Sequence, residues 1–307
     1  MMRESHKNPK ARTASAMIWR RIVFSVTLGT AIFSSMPIGR AEIKILAVTS
    51  STDFQSATIA PGSLESIWCT GLTGIQGVVD ANGPVLPTQL AGISVYAGGA
   101  ANAPILAIAD LGGYQLINIQ IPWDAAGLNT IAVSQGQEKA TATVTGWARW
   151  PVFFVTGSGY LVARHASDYS LVAPENPARP GEWIVGYASN LGPVANTPPS
   201  GAVAPNSPLS PLAPSLSGFA TDYSVVITPP GVPPTPSTGA LESNFMGLAP
   251  GTVGVYQINF RIPNTAAVGD GVVYMRETVF CGFFFVPGCG RGLMSTFSAS
   301  VKLPIAH

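Results

Sequence analysis

Charge is scarce in this chain. Lys, Arg, Asp and Glu make up 10% of its 307 residues, against about 25% in an ordinary globular protein. Residues 1–41 hold seven of the 16 Lys and Arg but one of the 15 Asp and Glu, which leaves nine against 14, or −5, for residues 42–307. That remainder has no basic patch, so nucleic acid is excluded as the expected partner. Histidine and cysteine are scarcer still, at three each. There is no close pair of histidines, no C-x-x-C and no acidic run at calcium-loop spacing, so no metal or other cofactor is expected. The phosphate-cradling G-x-x-x-x-G-K pattern is missing as well. Beyond residue 41 no apolar run approaches the ~20 residues of a spanning helix, which excludes a membrane span there.

Catalytic constellations are equally thin. His165, Asp168 and Ser158 lie close in sequence and allow a serine-hydrolase triad to be drawn. The nucleophile elbow needs G-x-S-x-G on a strand-to-helix turn, and "TGSGY" (156–160) lacks that spacing. Asp124 and Asp222 are isolated carboxylates. The expectation is that the chain is not an enzyme.

Turn formers and sheet formers are abundant. The chain has 33 Gly and 27 Pro, many Val, Ile and Thr, and no sustained helical periodicity outside its start. That composition points to an all-β fold. Arg20 and Arg21 precede the apolar run "IVFSVTLGTAIFSSM" (22–36), and "GRA" (39–41) follows with small residues at the positions a signal peptidase reads. Residues 1–41 are therefore expected to be a cleaved signal peptide, leaving a mature chain that starts at Glu42 outside the cytoplasm: secreted, periplasmic or on the cell surface.

Beyond the leader the sequence repeats. "IAPGSLESIWCTGLTG" (59–74) aligns without a gap on "ARPGEWIVGYASNLGP" (178–193): Pro61-Gly62 falls on Pro180-Gly181, Leu64 on Trp183, Trp68 on Tyr187. Downstream, "YQLINIQIP" (114–122) matches "YQINFRIP" (256–263) with one residue of slack. In the second copy Tyr256, Ile258, Phe260 and Ile262 alternate with polar residues, the period of a half-buried strand. The repeat predicts two tandem immunoglobulin-like β-sandwich domains, 42–147 and 148–307, with strands near 64–70, 91–97, 104–109, 115–121, 129–134 and 139–145 in the first. The offset between copies grows from 119 at the Pro-Gly turn to 141 at the closing Pro. The added residues fall in the Pro-rich stretches 192–218 and 228–244, which read as surface loops.

Three cysteines remain after export. Cys281 and Cys289 frame "CGFFFVPGC", a spacing that suits a hairpin closed by a disulfide in an oxidising compartment. Cys69 aligns with Ala188 and reads as a small buried residue. The remaining candidates for a contact surface are aromatic: Trp123 after the Pro that ends a strand, and Trp147, Arg149 and Trp150 between the copies. Such residues stack on sugars or anchor partners when exposed.

Four motifs in order, "ATIAPGSLESIWCTGL", "IQIPWDAAG", "NPARPGEWIVGYASNLGPV" and "GLAPGTVGVYQINFRIP", make residues 54–275 resemble the Solibacter-type C-terminal domain family of secreted bacterial proteins. The Pro-Gly opening is also distantly similar to IPT/TIG domains. The resemblance implies an exported immunoglobulin-like module and carries no catalytic residue with it. The resulting expectation is an exported, non-enzymatic interaction or surface-structural protein whose partner is an extracellular or envelope protein, or a polysaccharide. The alternatives are an extracellular carbohydrate-binding module and, third, a hydrolase with an unrecognised site.

Overall fold

The computed structural model describes residues 42–55, 59–125, 130–144, 151–213, 221–281 and 292–306. These residues form strands and no helix, so the fold is all-β. In chain order the strands are β1 (Lys44–Ser50), β2 (Leu64–Thr70), β3 (Val78–Asp80), β4 (Ile93–Tyr96), β5 (Ile105–Asp110), β6 (Gln115–Gln120), β7 (Thr130–Gln135), β8 (Glu138–Thr143), β9 (Val152–Phe153), β10 (Ala163–His165), β11 (Trp183–Ser189), β12 (Thr221–Thr228), β13 (Ser243–Leu248), β14 (Tyr256–Arg261), β15 (Gly269–Cys281), β16 (Gly292–Phe297) and β17 (Val301–Ile305). The six strands predicted in the first copy are present within two residues. The sequence pattern missed β1 and β3, which are edge strands with little alternation.

Two sheets face each other in each half. In the first, β1-β2-β6-β5-β3 packs on β4-β7-β8, with Ile67 and Ile117 of one sheet meeting Ile93 and Val133 of the other in a common core. In the second, β10-β11-β14-β13, extended by β9, packs on β12-β15-β16 with β17 beside β15. Ile184 and Phe260 there meet Val225, Met275 and Leu303. Along β14, Tyr256, Ile258 and Phe260 are fully buried, while Arg261 is exposed, as the alternation predicts. Strand β2 breaks that rule because most of its residues are buried on both faces. At its Leu64 end the outer face is covered by the second half, and a strand covered on both sides no longer shows period two.

The repeat recurs bond for bond. The N–H of Gly62 donates to the carbonyl of Ile121 at 3.0 Å, and that of Gly181 to Ile262 at 2.9 Å. Ser63 Oγ accepts from the Ala60 N–H, and Glu182 Oε1 accepts from the Arg179 N–H in the same place. Leu64 pairs with Gln120 as Trp183 pairs with Arg261, and Trp68 with Leu116 as Tyr187 with Gln257. Both turn glycines have φ above +80°, a conformation that costs an L-residue energy. The one residue of slack resolves at the tyrosines. Tyr256 points inward, and its hydroxyl donates to the carbonyl of Gly192. Tyr114 lies one place earlier in the register and turns outward onto Trp68, because a one-residue shift reverses the face.

One reading of the loops is corrected. The first Pro-rich stretch is not a free surface loop. Leu212 N–H donates to Met246 and Leu248 N–H to Ser210, so the chain adds a short edge to β13. Ala204 and Ser210 are buried, at 2% and 1% exposure. Ordered this way, residues 194–213 form a strap that reaches back to the first half. The second stretch matches its expectation: residues 229–240 are mostly exposed. Their path is set by Arg276, whose Nη1 donates to the carbonyls of Pro236 and Thr238 at 3.2 and 2.7 Å.

Candidate functional site

The junction between the halves holds several hydrogen bonds that reach far along the chain. Gly201 N–H donates to Gln120 Oε1 at 2.6 Å, and Leu86 N–H to the Gly201 carbonyl at 2.9 Å. Trp123 N–H donates to Ser200 Oγ at 2.9 Å. Leu64 N–H donates to Ser189 Oγ at 3.2 Å. Beside these bonds, Leu64 and Leu106 of the first half pack against Phe154, Val162, Tyr187 and Val255 of the second. Ser51, Ser66 and Asn118 form a buried chain of side-chain hydrogen bonds close by. The backbone N–H groups of Leu64, Leu86, Trp123 and Gly201 each have a partner, as a buried interface requires.

The structure places Trp123 inside this junction. A Cβ added to Gly62 would lie 2.1 Å from its ring, so the indole rests directly on the Pro-Gly turn. Its other side packs toward the second core, and Nε1 is buried without a partner among the described residues. Trp123 is half-buried, and the covered part of its indole packs in the junction. Trp147, Arg149 and Trp150 lie outside the described residues, as do Cys289 and the side chain of Cys281. Cys69 is a buried free thiol, and burial pushes its pKa up to about 12.

His165 and Asp168 do not assemble a triad. His165 is buried, with Nδ1 3.0 Å from Glu182 Oε1 and Nε2 3.2 Å from the Asn176 carbonyl oxygen. Asp168 Oδ1 accepts from the Ser170 N–H at 2.9 Å, and Ser158 Oγ lies 3.2 Å from Thr156 Oγ1. Asp168 and Ser158 each close a local turn while His165 bridges to Glu182 and Asn176, and the His165–Asp168–Ser158 arrangement of a hydrolase is not present. A shallow depression lined by Pro151, Met275, Glu277, Thr296, Phe297 and Ser298 holds about 10 Å³, room for a single water. No group of three or more metal-ligating side chains occurs among the described residues, and no helix there is long and apolar enough to cross a membrane.

Sequence reasoning missed two features. One is Glu65, fully buried at the end of the first core. Ser63 Oγ donates to its Oε1 at 2.7 Å, and Oε2 has no partner among the described residues. Burial holds this carboxyl well above the ordinary carboxylate range; the Ser63 bond opposes that rise, and the charge of Asp53 adds to it. Glu65 therefore stays protonated in the fold at pH values where the unfolded chain has released its proton. Stability from this group is fully present below the unfolded pKa and is lost as pH rises toward the folded one. The slope approaches about 1.4 kcal/mol per pH unit. In urea titrations across the mildly acidic range the wild type should weaken as pH rises, and Glu65→Gln should remove that slope. A slope that persists in the variant contradicts the assignment.

The other missed feature is an aromatic group on the outer face of the first half. Trp68 lies 5.9 Å from Phe54 and 5.5 Å from Tyr114 between ring centroids. The three rings are half-buried, and Trp68 Nε1 donates to Thr49 Oγ1 at 3.0 Å, which fixes the indole. Phe54 has φ of 58°, a strained backbone for a bulky residue. The aligned repeat showed Trp68 and Tyr187 as one position, but not which of the two is left uncovered.

No protein-family model matches the chain, and no curated protein matches it.

Proposed function

We propose that this is an exported, non-enzymatic interaction or surface-structural protein made of two immunoglobulin-like domains, 42–147 and 148–307, working as one rigid unit. The observation that carries the reading is the junction. The strap, Trp123 and Gln120 tie the two cores together through backbone-to-side-chain bonds, so chemistry-bearing residues serve shape. A rigid β-scaffold of this kind presents surfaces to partners. The resemblance of residues 54–275 to the Solibacter-type family supports the same class and location. The partner in this reading is a protein of the envelope or the extracellular space. Trp123 is half-buried against the Pro-Gly turn and adds to the junction that supports the protein-partner reading.

Export and the Cys281–Cys289 disulfide belong to this reading and share one test. Protein recovered from outside the cytoplasm should begin at Glu42 and be about two hydrogens lighter than the fully reduced chain, as one disulfide requires. Cross-linking in intact cells should then join it to envelope protein. A chain confined to the cytoplasm, or one retaining residues 22–41, contradicts the reading.

A further inference from the structure

The second half carries a docking face for the first, and the first half carries the same face with no sandwich docked on it among the described residues. The face in the second half consists of Phe154, Val162, Tyr187 and Val255, which receive Leu64 and Leu106. The shared register gives the counterparts. Tyr187 corresponds to Trp68 and Val255 to Tyr114, since Leu116 and Gln257 hold the same ladder place. Phe153 pairs with Ala188 as Ile45 pairs with Cys69, so Phe154 corresponds to Leu46. Val162 accepts the Tyr187 N–H where Ala47 pairs with Trp68, so Val162 corresponds to Ala47. All four counterparts are apolar or aromatic. Leu46 is 59% exposed, Ala47 is exposed, and Trp68 and Tyr114 are half-buried.

An exposed, contiguous patch of this kind marks an interaction site, and the repeat says what fits it. Its occupant is the sandwich end that carries the residue in the place of Leu64. In a second copy of this chain that residue is Trp183, half-buried on the outer face of β11, with half-buried Phe245 on β13 paired to Asn259 of the same sheet. We propose that the protein assembles head to tail, the Trp183 end of one copy docking on the Leu46–Trp68–Tyr114 face of the next. The two patches differ, so the contact is heterologous and propagates as an open chain. The inference rests on the reading of this protein as an interaction or surface-structural unit and names its partner as a second copy.

Analytical ultracentrifugation of the full chain should show association that lengthens with concentration. Leu46→Glu places a charge on the receiving face at a solvent-exposed position, where the fold is not at risk. Trp183→Glu does the same at the donating end, and circular dichroism checks that both stay folded. Each variant alone should be monomeric. A 1:1 mixture should form a dimer and nothing longer, because one variant keeps the donor and the other the acceptor. A wild type that is monomeric at all concentrations overturns the proposal, as does association undiminished in either variant, or a mixture that stays monomeric. Any of these leaves the export and cross-linking results untouched, so the two readings fail separately.

Discussion

Phe260→Asp should unfold the second sandwich, while Arg261→Ala, one residue along, should change its stability by less than about 1 kcal/mol. Phe260 is fully buried, opposite Ile184, and its ring lies 3.1 Å from where a Cβ on Gly186 would stand. Losing a buried phenylalanine side chain costs about 3–5 kcal/mol in transfer and cavity terms. The new carboxylate adds the cost of an unpaired buried charge, several kcal/mol more, or neutralises itself at similar expense. Together these match the whole stability of a typical domain, about 5–15 kcal/mol. Arg261 faces outward with 44% of its side chain exposed. It loses a 2.9 Å bond to the Gly181 carbonyl and a 3.4 Å contact with Glu242, both in water. Denaturant unfolding of the two variants side by side checks the difference; equal losses would mean that the β14 face assignment is wrong.

Replacing residues 197–209 by a short Gly-Ser turn should uncouple the two sandwiches. By loop-closure entropy alone the change is slight, about 0.6 kcal/mol in favour of the shorter loop per halving. Against that stand the bonds of Gly201 to Gln120 and Leu86, and of Ser200 to Trp123. Each contributes about 0.5–1.5 kcal/mol, and Gln120, buried to 1%, would be left without its partner at a further ~1–3 kcal/mol. The bonds outweigh the entropy. Ala204 also leaves the second core, so that half should weaken as well. Calorimetry should resolve two separate transitions in the variant, with the second sandwich melting first. An unchanged single profile contradicts the role assigned to the strap.

The fold was largely legible because it is written in short-range terms. Alternation in "YQINFRIP" and the paired Pro-Gly turns fix a strand, its face and its partner without knowledge of the rest of the molecule. What was not legible is what covers each outer face. Trp123 and the strap read as surface because proline, serine and a post-strand tryptophan are common there; their burial depends on contacts 77 residues apart. Glu65 carries no sequence signal of burial beyond its place on one face with the core residues Ile67 and Cys69. The exposed Leu46 sits on a strand the pattern missed, at a bulge where β1 changes register. Bulges disturb alternation, which is the one signal a single sequence offers for strands.

The central claim is that the two sandwiches form one body through their junction. Residual dipolar couplings of backbone amides measure that directly, since each rigid body takes its own alignment. A single alignment tensor should fit the amides of β2, β6 and β7 together with those of β11, β14 and β15, and replacing residues 197–209 should split it into two. Two independent tensors in the unaltered protein would contradict the account.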